Sequence, residues 1–86
     1  MKSNKQPYQL FYEGIKKLKI LAPNTKISEV IGIAKELHKI EDKKDWILEN
    51  EGKILDPEET LESSKLLSAV LILKASKILN QDLVSV

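Results

Sequence analysis

Cysteine and arginine are both missing from this chain, and no apolar run approaches the length of a membrane-spanning helix. Without cysteine there are no disulfides, no thiolate nucleophile and no cysteine-ligated zinc. Arginine makes the forked contacts to phosphate and guanine that specific nucleic-acid readers use, so its absence argues against that role. A membrane span needs about 20 apolar residues, so we also expect no membrane partner.

The size and composition of the chain suit one small domain. It has 86 residues, of which 42% are hydrophobic and 31% are charged, which is enough apolar material for a compact core. Residues 1–7 are polar and no apolar stretch follows them, a pattern unlike that of a secretory signal. We therefore expect a flexible N-terminus over 1–7 and a cytoplasmic protein.

The charges nearly cancel, with 14 lysines and 13 acidic residues. The densest basic cluster is Lys16, Lys17 and Lys19. We interpret this cluster as the solvated face of an edge strand, where lysines discourage edge-to-edge pairing. A phosphate-binding patch is the alternative, but such a patch needs more clustered charge.

The N-terminal pattern predicts a β-hairpin. An aromatic-rich strand over 8–12 is followed by the turn residues Glu13 and Gly14 and by a second strand over 15–21,. In the second strand the alternation predicts opposite directions for two pairs of side chains: inward for Leu18 and Ile20, outward for Lys17 and Lys19.

One helix is predicted over 26–39. Pro23 ends the preceding strand because it cannot continue a ladder, and we expect Asn24 or Thr25 to cap the first helical amides. Apolar residues recur at steps of three and four, so one helix face is buried; they are Ile27, Val30, Ile31, Ala34 and Leu37, with His38 at the edge. Gly32 lowers the stability of the helix by about 1 kcal/mol relative to alanine. Either a close approach of the helix to the sheet or a tolerated surface position explains why glycine stands there.

The C-terminal half predicts further strands at 45–50, 54–55 and 68–75, with a loop or single helical turn over 60–67. In the first of these strands we expect Trp46 and Leu48 to face the core and Ile47 to face outward. The last strand is almost continuously apolar, as in a central strand. Residues 76–86 form a C-terminal tail with the weak amphipathic pattern of a short helix.

These landmarks are similar to those of ubiquitin-like β-grasp proteins over residues 8–75. Three residues match the loop and helix start of that family: Pro23, Ile27 and Val30. Gly52-Lys53-x-Leu55, followed by Thr60-Leu61, matches the turn after the third strand. The resemblance implies an α+β fold, with a mixed four- to five-stranded sheet and one main helix.

A shorter motif resembles one branch of that family. Asp45-Trp46-x-Leu48-x-Asn50, followed by Gly52 and Leu55-Asp56, is similar to bacterial ubiquitin-like proteins. Such proteins are typically encoded beside an activating enzyme, a conjugating enzyme and a JAB-type peptidase. The resemblance therefore implies partners of those three kinds.

Two departures from the family pattern bear on function. Conjugated ubiquitin-like modifiers end in Gly-Gly, a slim and flexible terminus, whereas this chain has Lys77-Ile78-Leu79 in the matching place. The centre of ubiquitin's apolar recognition patch aligns with Glu49. The resemblance therefore implies the fold more directly than the modification of target proteins.

No residues suggest catalysis or a metal site. His38 has no cysteine partner, and Ser28 is poorly placed to be its nucleophile on the same short helix. The acidic pairs Glu41-Asp42 and Glu58-Glu59 fall in connectors, without the burial or the alternating spacing that a carboxylate or calcium site needs. We expect a non-enzymatic protein without a cofactor.

The candidate functional residues lie on the sheet face away from the helix and in the tail. We expect Val70 and Ile72 to face the helix, which leaves Leu71 and Leu73 on the open side. Exposed apolar strips mark protein-binding surfaces, and the predicted surface comprises Phe11, Ile47, Glu49, Leu71 and Leu73. The predicted tail site comprises Ser76, Lys77, Ile78 and Leu79.

The sequence thus predicts a ubiquitin-like protein modifier or a non-covalent protein-binding module, without a Gly-Gly terminus, in a bacterial conjugation-type system. The alternative is a small accessory subunit of a multicomponent enzyme or a secretion complex. In either case the expected state is a monomer or one subunit of a hetero-complex.

Overall fold

The computed structural model describes residues 5–41 and 45–75. Five strands and one helix occur in this part of the chain. Their order is β1 (Gln6–Tyr12), β2 (Ile15–Leu21), α1 (Ile27–Leu37), β3 (Trp46–Asn50), β4 (Lys53–Ile54) and β5 (Val70–Ala75). The predicted α+β arrangement is confirmed, and the first strand begins two residues before the expected domain boundary.

The strands form a single mixed sheet in the order β2-β1-β5-β3-β4. β1 is antiparallel to β2 and parallel to β5, while β3 is antiparallel to both β5 and β4. The almost continuously apolar β5 occupies the centre, where both of its edges are paired. β2 and β4 are the two edge strands of this sheet.

Two Glu-Gly pairs make the tight turns of the sheet. Glu13 and Gly14 have φ angles of 52° and 81°, and Glu51 and Gly52 have φ angles of 51° and 83°. Positive φ at both central residues defines the two-residue turn whose twist matches that of paired antiparallel strands. The predicted turn at Glu13 and Gly14 is confirmed, and the second turn lies where Gly52 matched the turn after the third strand of the family.

α1 packs across one face of the sheet. Ile27, Val30 and Ala34 are fully buried in the same core as Leu48 of β3. Trp46 lies two residues before Leu48 and packs against the edge of that core. The predicted interior is therefore confirmed, and it is centred between α1 and the three middle strands.

The start of α1 is capped by another segment of the chain, so the predicted cap by Asn24 or Thr25 is wrong. Neither Asn24 nor Thr25 is the N-cap residue, which is Lys26, and the carboxylate of Glu29 accepts from the backbone amide of Lys26 at 3.2 Å. The first two helical amides, of Ile27 and Ser28, donate to the carbonyl oxygens of Glu59 and Pro57 at 2.8 and 3.1 Å. The segment after β4 thus supplies the acceptors that a free helix end lacks.

The side-chain directions in β2 are opposite to the prediction. β2 pairs with β1 so that Lys17 lies opposite Leu10 and Lys19 lies opposite Tyr8. Directly opposed residues share a face, and Leu10 and Tyr8 are buried on the helix side. The lysines are therefore on the helix side, and Leu18 and Ile20 are on the other face. The prediction assumed that the apolar residues of β2 face the core, whereas only Leu21 of this strand is buried.

Candidate protein-interaction surface

Strand register defines the sheet face opposite α1, which we call the open face. One row of side chains crosses all five strands by successive pairing: Lys16, Phe11, Ile72, Glu49 and Ile54. In the three middle strands, the members of this row alternate with buried core residues. Because neighbouring residues of a strand point to opposite faces, the whole row lies away from the helix.

Three of the predicted surface residues lie on the open face. Phe11, Ile47 and Glu49 are all partly buried there. Ile47 lies opposite Lys74, and Glu49 lies opposite Ile72. Their placement agrees with the predicted outward direction of Ile47.

The other two predicted surface residues belong to the core. Leu71 and Leu73 are 0% and 2% exposed, so their predicted exposure on the open face is wrong. Leu71 lies opposite Leu10, and Leu73 lies opposite Leu48. These pairings decide which side chains of β5 face the helix. Val70 and Ile72, which we predicted to face the helix, lie on the open face instead.

The most exposed apolar residues of the open face were missed. Leu18 and Ile20 are each 62% exposed, and Ile54 is 51% exposed. The directions of Leu18 and Ile20 could have been predicted from the sequence, because a two-residue turn at 13–14 fixes the register of the hairpin. That register sets Leu18 opposite Gln9 and so places it on the face away from Leu10.

An ion pair interrupts the apolar open face. The ammonium group of Lys74 lies 3.0 Å from a carboxylate oxygen of Glu49, and the two side chains are 52% and 16% exposed. Most of the Glu49 side chain is thus covered by its neighbours while its charge is paired. The apolar part of the face is divided into a β2 side, with Leu18 and Ile20, and a β4 side, with Ile54.

A separate apolar residue projects from the connection before β5. Leu67 is 81% exposed, and its backbone amide donates to the side-chain oxygen of Asn50 at 2.9 Å. The loop is therefore held in place while the leucine remains in solvent. Since Leu67 lies outside the open-face row, it serves as an independent surface position.

His38 has a structural environment. Its Nε2 donates to the carbonyl oxygen of Leu10 at 3.0 Å, and its ring meets the ring of Tyr12 edge-on at 5.6 Å. Within 5–41 and 45–75, no three His, Asp or Glu residues are grouped to hold a metal ion. No helix in the same residues has the length and apolarity needed to cross a membrane.

The predicted tail site, Ser76, Lys77, Ile78 and Leu79, lies outside the described residues. The described chain ends at Ala75, whose partner in the sheet is Trp46 at the start of β3. The expectation of a short amphipathic helix over 76–86 is left as a prediction.

Comparisons with known proteins support the fold. No protein-family model matches the chain, and no curated protein matches it either. A chain from a structure described as molecular mimicry of SUMO that promotes DNA repair superposes with a TM-score of 0.70 at 18% identity, over 81% of this chain and 90% of that chain.

Two further solved structures extend this result. A design based on ubiquitin gives a TM-score of 0.70 at 22% identity, over 83% of this chain and 88% of that chain. The C-terminal ubiquitin-like domain of human 2'-5'-oligoadenylate synthetase-like protein gives a TM-score of 0.60 at 23% identity, over 90% of this chain and 92% of that chain. The chain therefore has the ubiquitin-like β-grasp fold.

Proposed function

We propose that this chain is a non-catalytic protein-binding module that recognises a partner protein through the open face of its sheet. One observation carries the proposal: Leu18, Ile20 and Ile54 are each more than half exposed on that face. Exposed apolar side chains on one face, with polar residues around them, are typical of a protein-binding surface. The lysines that border Leu18 and the Glu49–Lys74 pair provide such polar surroundings.

A non-catalytic role is supported by the state of the one histidine in the sequence. The Nε2 atom of His38 donates to a backbone carbonyl, and the sequence contains no cysteine with which this histidine could form a nucleophile–base pair,. The ubiquitin-like fold offers a sheet surface rather than a deep cleft, and this geometry favours macromolecular partners over small substrates.

Within this role we propose non-covalent binding in a bacterial ubiquitin-like conjugation-type system. Lys77-Ile78-Leu79 stands where conjugated modifiers carry Gly-Gly, which favours binding over covalent attachment. The motif from Asp45 to Asn50 favours an activating enzyme, a conjugating enzyme or a JAB-type peptidase as the partner. In this proposal the module is a cytoplasmic monomer that joins hetero-complexes.

Binding to the purified products of the neighbouring genes tests the proposal. The double variant Leu18→Asp, Ile20→Asp changes only exposed side chains, so it should fold normally and lose at least about tenfold in affinity. Leu67→Asp is the matched control, because it makes the same change at an exposed leucine elsewhere. Wild-type affinity in a folded double variant would refute the open-face assignment.

Covalent attachment and subunit behaviour give distinct outcomes in the same experiment. A mass-shifted product formed with ATP and an activating enzyme identifies a covalent modifier. The exposed Leu67 and Ile54 favour one second candidate, an accessory subunit whose surface is permanently covered. Light scattering separates the two, since an obligate subunit aggregates without its partner and a binding module is a stable monomer.

A further inference from the structure

The open face is more apolar than a sheet face that only meets water. When a helix covers one side of a sheet, the strands usually alternate apolar residues toward the core with polar residues toward solvent. On this sheet most positions away from α1 carry apolar residues: Pro7, Phe11, Leu18, Ile20, Ile47, Ile54, Val70 and Ile72. A face of this composition favours a further layer of chain above it.

The C-terminal tail, residues 76–86, follows directly on the central strand β5. The tail therefore leaves the sheet from its middle rather than from an edge. Four of its apolar residues have the spacing that gathers side chains on one side of a helix,: Ile78, Leu79, Leu83 and Val86. Val84 falls on the opposite side. The tail thus has both the position and the pattern to cover the sheet.

We infer that the tail folds back as a helix over the open face, crosses β1 toward β2, and covers Ile72, Phe11 and Leu18. The occupant of the face is then a segment of this same chain. A helix of this length is not stable alone in water, so its apolar side needs the sheet as a partner. The docking of the tail goes beyond the proposed function and does not depend on it.

Charge complementarity supports this occupant. Asp82 is the only acidic residue of the tail, and in a helix it falls on the apolar side, which faces the sheet. The open face carries two lysines, Lys16 and Lys74. Lys74 is paired with Glu49, whereas Lys16 has no carboxylate partner among the described residues. An acidic group in the tail therefore has one lysine on this face left to pair with.

The lengths agree with that pairing. Asp82 is seven positions beyond Ala75, which is about 10 Å along a helix. β2 is two strands away from β5, which is also about 10 Å across a sheet. A helix that starts beside the end of β5 and crosses β1 therefore brings Asp82 to Lys16.

The docked tail would compete with any partner that binds the open face. A tethered segment acts at an effective concentration in the millimolar range, so even weak docking reduces the fraction of the face that is accessible. A partner must displace the tail before it binds. This consequence, unlike the docking itself, rests on the proposed function.

Two neighbouring tail residues provide a test on the full chain. Leu83→Asp places a charge on the apolar side of the helix, and Val84→Asp is the matched control on the opposite side. Methyl NMR signals of Leu18 and Ile72 report whether the face is covered. Leu83→Asp should shift both signals and lower the ratio of docked to undocked tail at least about tenfold. Val84→Asp should leave both signals in place.

Charge exchange tests the direction of the tail. Lys16→Glu and Asp82→Lys should each lower the docked-to-undocked ratio about two- to fivefold, and the two changes together should restore it. Lys17→Glu is the matched control, because Lys17 is the next residue and lies on the helix side. Failure of the combined variant to restore docking would overturn the crossing toward β2.

Other occupants of the open face give different results, and each overturns the inference. Methyl signals that ignore Leu83→Asp show that the tail does not cover the face. Changes centred on Trp46, which lies on the helix side with Leu48, place the tail on the other face. Methyl shifts that follow protein concentration assign the face to a second copy of the chain.

Partner binding separates this inference from the proposed function. Leu83→Asp should tighten the binding of an open-face partner about threefold or more, because the tail no longer competes, and Val84→Asp should not. The expected methyl shifts with an unchanged partner affinity support the covering tail and contradict open-face binding. Partner binding that needs Leu18 and Ile20, without any methyl response to Leu83→Asp, overturns the covering tail and leaves the proposed function standing.

Discussion

The side-chain amide of Asn50, at the end of β3, donates to the carbonyl oxygen of Ser68 at 3.0 Å. Asn50 is 3% exposed. Its Nδ2 also donates to the carbonyl oxygen of Val70 at 2.9 Å, and its Oδ1 accepts from the amide of Leu67 at 2.9 Å. One side chain thus satisfies three backbone groups where the chain enters the central strand.

Replacing this amide should be costly. Asn50→Leu leaves those three backbone groups without their partner, and we expect a loss of about 2–4 kcal/mol in the free energy of unfolding. Urea denaturation measures the loss. Ser68→Ala is the comparison variant: it removes a hydroxyl that contacts Asn50, Glu51 and the amide of Val70 but keeps the backbone carbonyl that Asn50 contacts, so it should cost less than Asn50→Leu. Unchanged stability of Asn50→Leu would contradict the role given to Asn50.

Gly32 should be replaceable with a gain in stability. It is exposed in α1, and apart from its chain neighbours and the backbone of its own helix, no described heavy atom lies within 4 Å of the position that a Cβ would occupy. Of the two explanations predicted for this glycine, the structure supports a tolerated surface site. Gly32→Ala should therefore raise the free energy of unfolding by about 1 kcal/mol, since alanine is the better helix former.

Gly14 provides the opposite case for the same substitution. Its surroundings are equally open, but its φ is +81°, which alanine adopts only with strain. Gly14→Ala should lower the melting temperature while Gly32→Ala raises it by about 4–8 °C. A fall in melting temperature for Gly32→Ala would indicate that this site requires glycine for another reason.

The sequence predicted the elements well because their local signals agreed. Apolar residues at steps of three and four indicate a helix, and α1 is a helix with one buried face. A Glu-Gly pair between two strand patterns indicates a tight turn, and the structure has a tight turn at both pairs. The helix cap was not predictable in the same way. Its acceptors are backbone carbonyls of Glu59 and Pro57, and any residue supplies a carbonyl.

The local sequence pattern also did not show which side chains of β5 and β2 face the helix. Val70 to Leu73 is apolar throughout, so alternation gives no choice between the faces, and only pairing with Leu10 and Leu48 decides it. In β2 the alternation is clear, but only Leu21 is buried, and Ile15, Leu18 and Ile20 are exposed. For this reason Leu71, which we predicted on the candidate surface, lies in the core, and Leu18, which we predicted to face inward, lies on that surface.

Alanine substitutions at these two leucines should therefore differ sharply. Leu71→Ala removes a fully buried side chain and should cost about 2–5 kcal/mol. Leu18→Ala acts on an exposed side chain and should change stability by less than about 0.5 kcal/mol. Chemical denaturation of the two variants gives the comparison. Equal losses of stability would mean that Leu71 points to the open face and that this face is assigned incorrectly.

The Glu49–Lys74 ion pair should contribute little to stability. Lys74 is half exposed, so solvent screens the attraction, and pairs of this kind contribute less than about 1 kcal/mol. A double-mutant cycle with Glu49→Gln and Lys74→Gln isolates the coupling. We expect a value below that limit which falls further at high salt. A larger coupling that is insensitive to salt would show that the pair is shielded from water.

The helix-side lysines of β2 should keep the chain monomeric. Lys17→Val with Lys19→Val leaves an uncharged apolar edge strand, and such edges pair with one another. We expect self-association that increases with protein concentration in sedimentation velocity experiments. Lys17→Glu with Lys19→Glu is the matched control, because like charges still oppose one another and the variant should remain monomeric. A monomeric valine variant at high concentration would mean that the lysines are not what prevents pairing at this edge.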